Sequence, residues 1–150
     1  MNQLELCRKA DKILCTLYDK RNGDGDAYLD WSEVVSGGTG LIWEENVREF
    51  LENTPDVDIT EADFIFLNSF EHEGNFSRHV DDNWQETVYV YRHKETGHLV
   101  GIRSIYSSYE DGTPYADNNG LTHCFPVRPI QSWEYGTHEP NAKMEEVKNA

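Results

Sequence analysis

Between Asn22 and Glu33, oxygen-bearing residues recur at intervals that suit a hard cation. Asn22, Asp24, Asp26, Asp30 and Glu33 would offer side-chain oxygens, and Tyr28 its backbone carbonyl. Calcium takes about six to eight oxygen ligands in flexible geometry, so a short acidic loop can supply most of its shell. Leu29 is the apolar residue between the two halves of the set. The same composition also suits an Asp/Gly-rich connector whose carboxylates are simply solvated. Calcium is therefore the candidate ion, and no cofactor is required by anything else in the chain.

The stretch from Asn22 to Glu33 resembles an EF-hand loop, whose ligands stand at positions 1, 3, 5, 7, 9 and 12. Two positions depart from that pattern. Ala27 stands where the family places the glycine of a sharp turn, and alanine at positive φ costs about 1 kcal/mol. Asn22 replaces the usual first aspartate and lowers the ligand charge. No second such loop occurs, and an alignment starting at Asp19 fits only with inserted residues. The resemblance implies a calcium-binding module.

Charge is the strongest property of the whole chain. Its 150 residues carry a net charge of −15, from 28 acids and 13 bases. From Asn22 to Phe76 there are 14 acids and one base, Arg48, so this segment holds −13 of the −15. Such a field repels phosphates and attracts basic surfaces. Direct nucleic-acid binding is thereby disfavoured, although the same acidity also serves plain solubility. The residues predicted to meet a basic partner are Glu44, Glu45, Glu49, Glu52, Asp56, Asp58, Glu61 and Asp63.

Other constellations carry less. A nucleophile elbow, a phosphate-binding P-loop and an HExxH zinc motif are all missing from the sequence. Ser36 to Gly40 is glycine-rich but lacks a following lysine and stands among acids, the wrong field for phosphate. His72, His79, His123 and Cys124 would form a zinc set if the strands gathered them, but they lack paired ligand spacing. His123 and Cys124 are the one nucleophile–base suggestion, and strand neighbours point to opposite faces. Tyr89, Tyr91, Tyr106 and Tyr109 could stack bases; in an acidic chain they read better as the cover of a sheet face. The expectation is that the protein is not an enzyme.

The elements that must position these residues change character midway. Leu4, Cys7, Ala10, Leu14, Leu17 and Tyr18 recur at helical spacing, with Glu5, Arg8, Lys9 and Lys12 between them. This predicts a first helix that stops near Asn22-Gly23. A short helix over 31–35 and another over Trp43–Glu52 follow, the latter with Val47 and Phe50 inward. Thr60 and Asp63 look like a capping box. Phe64 to Leu67 is read as a strand, because aromatic and β-branched residues dominate it.

The second half reads as strands. These cover 87–92, His98 to Tyr109 and Leu121 to Ile130, with a hairpin turn over Lys94–Gly97. Pro126 and Pro129 would place the last strand at a sheet edge or end it early. The expected fold is α+β: N-terminal helices packed on a three- to four-stranded antiparallel β-meander. Residues 1–136 would form one domain, with a helical acidic part over 1–60, the meander over 62–131, and a polar tail over 137–150. Aromatic content (4 Trp, 8 Tyr, 6 Phe) is enough for a packed core. Cys7, Cys15 and Cys124 make an odd set of thiols, read as reduced and mostly buried. Residues 1–20 read as an amphipathic helix and not as a signal peptide. No stretch reaches the ~18 apolar residues of a membrane span, so a cytoplasmic protein is expected.

Val88-Tyr-Val-Tyr91, the Gly97 turn, Ile105 to Gly112 and Phe125 to Pro129 together resemble a pattern in small, acidic accessory proteins of phages and mobile elements. The likeness runs from Glu71 to Ile130. It implies a β-meander accessory domain and carries over no catalytic residue. By charge analogy, it implies an inhibitor or adaptor that presents a nucleic-acid-like face to a basic host protein, such as a defence or DNA-processing enzyme.

Overall fold

The computed structural model describes residues 1–23, 40–81, 84–103, 117–132 and 141–147. Among them are three helices, α1 (Gln3–Gly23), α2 (Glu44–Glu52) and α3 (Glu61–Leu67). Five strands follow: β1 (Phe70–Asp81), β2 (Trp84–His93), β3 (Leu99–Arg103), β4 (Cys124–Ser132) and β5 (Asn141–Glu146). The strands form one antiparallel sheet in the order β1-β2-β3-β4-β5. The class is α+β, as the change of hydrophobic period predicts, with more strands than expected.

α1 follows the helical stripe closely. Leu6, Cys7, Ala10, Ile13, Leu14 and Leu17 are buried along one face. That face packs on β3 and β4. Gln3, in its first turn, donates from Nε2 to the carbonyls of Leu99 (2.9 Å) and Val127 (2.7 Å). One side chain thus satisfies an acceptor on each of two neighbouring strands.

The sheet is apolar on both faces. Alternation along each strand and the pairing register put Val88, Val90, Gly101, Phe125 and Val127 on one face. Tyr89, Tyr91, Val100, Ile102 and Cys124 share the other. Every one of these is buried except Tyr89, which is partly so. Tyr91 is fully enclosed, with the His72 ring against it at 5.5 Å. It is a core residue and offers no stacking platform. Tyr106 and Tyr109 lie outside the described residues.

Three expectations are corrected. Phe64 to Leu67 is helical, not a strand: Thr60 Oγ1 accepts from the Asp63 amide (3.2 Å) while Asp63 Oδ2 accepts from the Thr60 amide (3.0 Å). This reciprocal cap outweighs the strand preference of a short aromatic run, and it leaves Phe64, Phe66 and Leu67 on the buried side. Thr60→Ala should lower stability by about 1 kcal/mol in urea unfolding; no change would mean that packing alone holds the turn.

The polar stretch Phe70–Asp81 is a strand, paired along its length with β2. Part of the presumed tail is also a strand, since Asn141–Glu146 pairs with Ser132–Val127.

β4 is not an edge strand, for it lies between β3 and β5. Its prolines are tolerated because of where they fall in the ladders. The Pro126 carbonyl faces β5 and accepts from Val147 (2.6 Å), at the end of that pairing. Pro129 faces the β3 side, beyond the last β3 partner, Pro126. Neither missing N–H breaks a ladder bond. The hairpin over Lys94–Gly97 stands as expected, with Gly97 at φ 81°.

Candidate functional site

α2, the turn after it and α3 carry the acids predicted to meet a partner. Glu45, Glu49, Glu52, Asp56, Asp58 and Glu61 are exposed. Glu44 and Asp63 are half-buried and used internally. Glu44 accepts from Asn68 Nδ2 (2.7 Å) and pairs with Arg48 (3.5 Å), and Asp63 closes the α3 cap. The structure therefore gathers the set on one helix–turn–helix segment and leaves most of it open to solvent.

Arg48 is the single base in that segment, and it is already engaged. Its guanidinium forks onto Glu61, with Nη1–Oε1 2.6 Å and Nη2–Oε2 3.0 Å. It also lies over the Phe64 ring, 4.0 Å from the centroid. The hydrogen bonds that Arg48 donates to Glu61 raise the Arg48 pKa and lower that of Glu61. Further along, Glu71 and Glu73 on β1 are both paired with Arg92 of β2, the latter at 2.6 Å. Hydrogen bonding to Glu73, with Glu71 beside it, raises the Arg92 pKa. Among the described residues of this acidic stretch, Glu45, Glu49, Glu52 and Asp58 are exposed and stand outside these ion pairs.

Of the cation-loop residues, only Asn22 is among the described residues. Asn22 belongs to the last turn of α1, while Asp24, Asp26, Tyr28, Asp30 and Glu33 lie outside the described residues. The zinc set is not gathered by the sheet. His72 and His79 belong to β1, whereas His123 and Cys124 stand at β4, with β2 and β3 between. Among the described residues, no three His, Cys, Asp or Glu side chains are arranged to hold a metal.

A second polar centre went unnoticed in the sequence. Asp11 sits in the apolar stripe of α1, only 6% exposed. Its carboxylate collects three successive backbone amides at the start of β4: Thr122 (3.1 Å), His123 (2.5 Å) and Cys124 (2.9 Å). Cys15, one turn on, points its thiol at the same carboxylate (3.8 Å). Burial raises the Asp11 pKa, and the three amides and the thiol oppose that rise without cancelling it.

This arrangement is a clamp between α1 and β4 more than a reaction centre. Cys124 is fully enclosed, and burial followed by its hydrogen bond with Cys7 pushes its thiol well up. A thiol held protonated is a poor nucleophile. His123 is likewise enclosed; its carbonyl accepts from the Arg103 amide (3.1 Å), and Arg103 Nε donates to the Thr122 carbonyl (2.7 Å). The segment 122–124 is thus fixed from the helix side and the strand side at once. The signal that could have revealed Asp11 is its place four residues from both Cys7 and Cys15, on the buried face.

One open cleft of about 220 Å³ is lined by Asp117, Asn118, Asn119 and Glu146. The Asp117 carboxylate shapes it by accepting from the amides of Asn119 (2.8 Å) and Leu121 (2.9 Å). Among the described helices, none is long and apolar enough to cross a membrane. Comparison with protein-family models, with curated proteins and with solved structures returned no match.

Proposed function

We propose that this chain is a non-enzymatic binding protein whose acidic α2–α3 face docks on a basic protein surface. The partner class is a nucleic-acid-binding protein, whose groove is built to accept a run of negative charge. The reading matches the small acidic accessory proteins of phages and mobile elements that the meander resembles, in which such a face acts as an inhibitor or adaptor. One observation carries it: Glu45, Glu49, Glu52, Asp56 and Asp58 are exposed together on one segment, whose one base, Arg48, is already paired with Glu61.

The test is capture on immobilised protein at about 50 mM salt, where surface charges are weakly screened. Basic nucleic-acid-binding proteins should be retained, then released by excess duplex DNA or by about 0.5 M salt. A variant carrying Glu45→Gln, Glu49→Gln, Glu52→Gln, Asp56→Asn and Asp58→Asn should retain at least about tenfold less. Equal retention by the variant, or bound proteins indifferent to DNA, would overturn the proposal.

A further inference from the structure

Two large apolar side chains stand exposed within the acidic face. Among the described residues only Met1, Trp43 and Ile65 are exposed large hydrophobics, so two of the three fall at one helix pair. Each is flanked by acids of that face: Trp43 by Glu44 and Glu45, Ile65 by Glu61 one turn before it.

Their placement follows from the helix register. Glu61, Ile65 and Asn68 stand at i, i+4 and i+7, in one row along α3 and its C-cap. Glu44 and Arg48 make the facing row on α2. Two links join the rows: Arg48 with Glu61 at one end, and Asn68 with Glu44 (2.7 Å) at the other. Ile65 lies between those links and is still 70% exposed. Trp43 directly precedes Glu44, makes no side-chain cap bond to α2, and is 43% exposed. The two links tie α2 to α3 at both ends of the row that holds Ile65.

Resting on the docking role proposed above, we infer that Trp43 and Ile65 are the apolar anchors of that face. The partner segment it fits is cationic and amphipathic: Lys and Arg opposite Glu45 and Glu49, with apolar side chains between them to cover Trp43 and Ile65. Charge alone gives contacts that fade with salt. Buried aromatic and aliphatic anchors give the part of affinity that salt does not remove.

The probes are two fluorescein-labelled helical peptides of about 18 residues with equal lysine content, one with a leucine face and one with serine in its place. They are titrated against the full chain by anisotropy at about 50 mM and about 300 mM salt. The leucine peptide should bind at least about tenfold more tightly, and its advantage should persist at the higher salt. Trp43→Ser with Ile65→Gln should erase that advantage while leaving the serine peptide's affinity unchanged. Unchanged circular dichroism of the variant, expected for two exposed positions, separates lost anchors from lost fold. Neutralising Glu45 and Glu49 should weaken both peptides alike. Equal binding of the two peptides, or a leucine preference that survives the double substitution, overturns the anchor assignment while leaving the acidic face intact. Failure of both peptides to bind at low salt overturns the acidic face as well.

Discussion

Replacing Asp11 with alanine is expected to lower stability by about 3–5 kcal/mol, a large share of the ~5–15 kcal/mol of a typical domain. The loss comes from the donors left behind. The amides of Thr122, His123 and Cys124 all point at this carboxylate, and the last two bonds are buried. An unsatisfied buried donor costs about 1–3 kcal/mol, and part of the total is returned because the buried anion is gone. Urea unfolding should show a lower midpoint with an unchanged slope. A loss under about 1 kcal/mol would show that water replaces the carboxylate without penalty.

The pH dependence of the same site has a definite sign. Burial holds the Asp11 pKa above its ordinary value, so the folded state holds this proton more tightly than the unfolded chain does. The stability this group contributes is full below the unfolded pKa, near about pH 4, and is lost as pH rises through the folded value. Asp11→Asn keeps an acceptor oxygen and removes the charge. Its deficit relative to the native chain should therefore narrow between about pH 4 and about pH 7. A deficit that widens with pH would mean that the three amides outweigh burial.

Gly101→Ala should cost about 2–3 kcal/mol, and Gly101→Val more. Gly101 pairs with Val90 on one side and Phe125 on the other, in the middle strand of the sheet. A methyl group there would stand 2.7 Å from Val127 Cγ1, 2.8 Å from Phe125 Cε2 and 2.9 Å from Val88 Cγ1. All three distances are well inside van der Waals contact, and the three neighbours are themselves enclosed, so none can simply swing out to solvent. The Phe125 ring occupies the space that a side chain at 101 would need. Combining Gly101→Ala with Phe125→Leu should therefore cost less than the sum of the two, by at least about 0.5 kcal/mol in a double-mutant cycle. Full additivity would show that the strand shifts as a unit instead.

The sequence by itself determined the local features. The α1 stripe, the Thr60–Asp63 cap, the turn at Gly97 and the α2 span each depend on residues within a few positions of one another. Net charge and its concentration between Asn22 and Phe76 are sums along the chain, so they are equally legible. Exposure of Glu45, Glu49 and Glu52 follows from the same helical period that buries Val47 and Phe50.

Only the tertiary structure decided the rest, and distance along the chain is the physical reason. β1 is too polar to read as a strand; its identity comes from its ladder with β2. β4 tolerates two prolines because its neighbours stop pairing where those amides are missing. Asp11 looks like one more surface charge between Lys9 and Lys12. Its partners lie 111 to 113 residues away, and folding alone brings them to it. Trp43 and Ile65 carry the opposite lesson. Their types predict burial, and only the folded structure leaves them facing solvent.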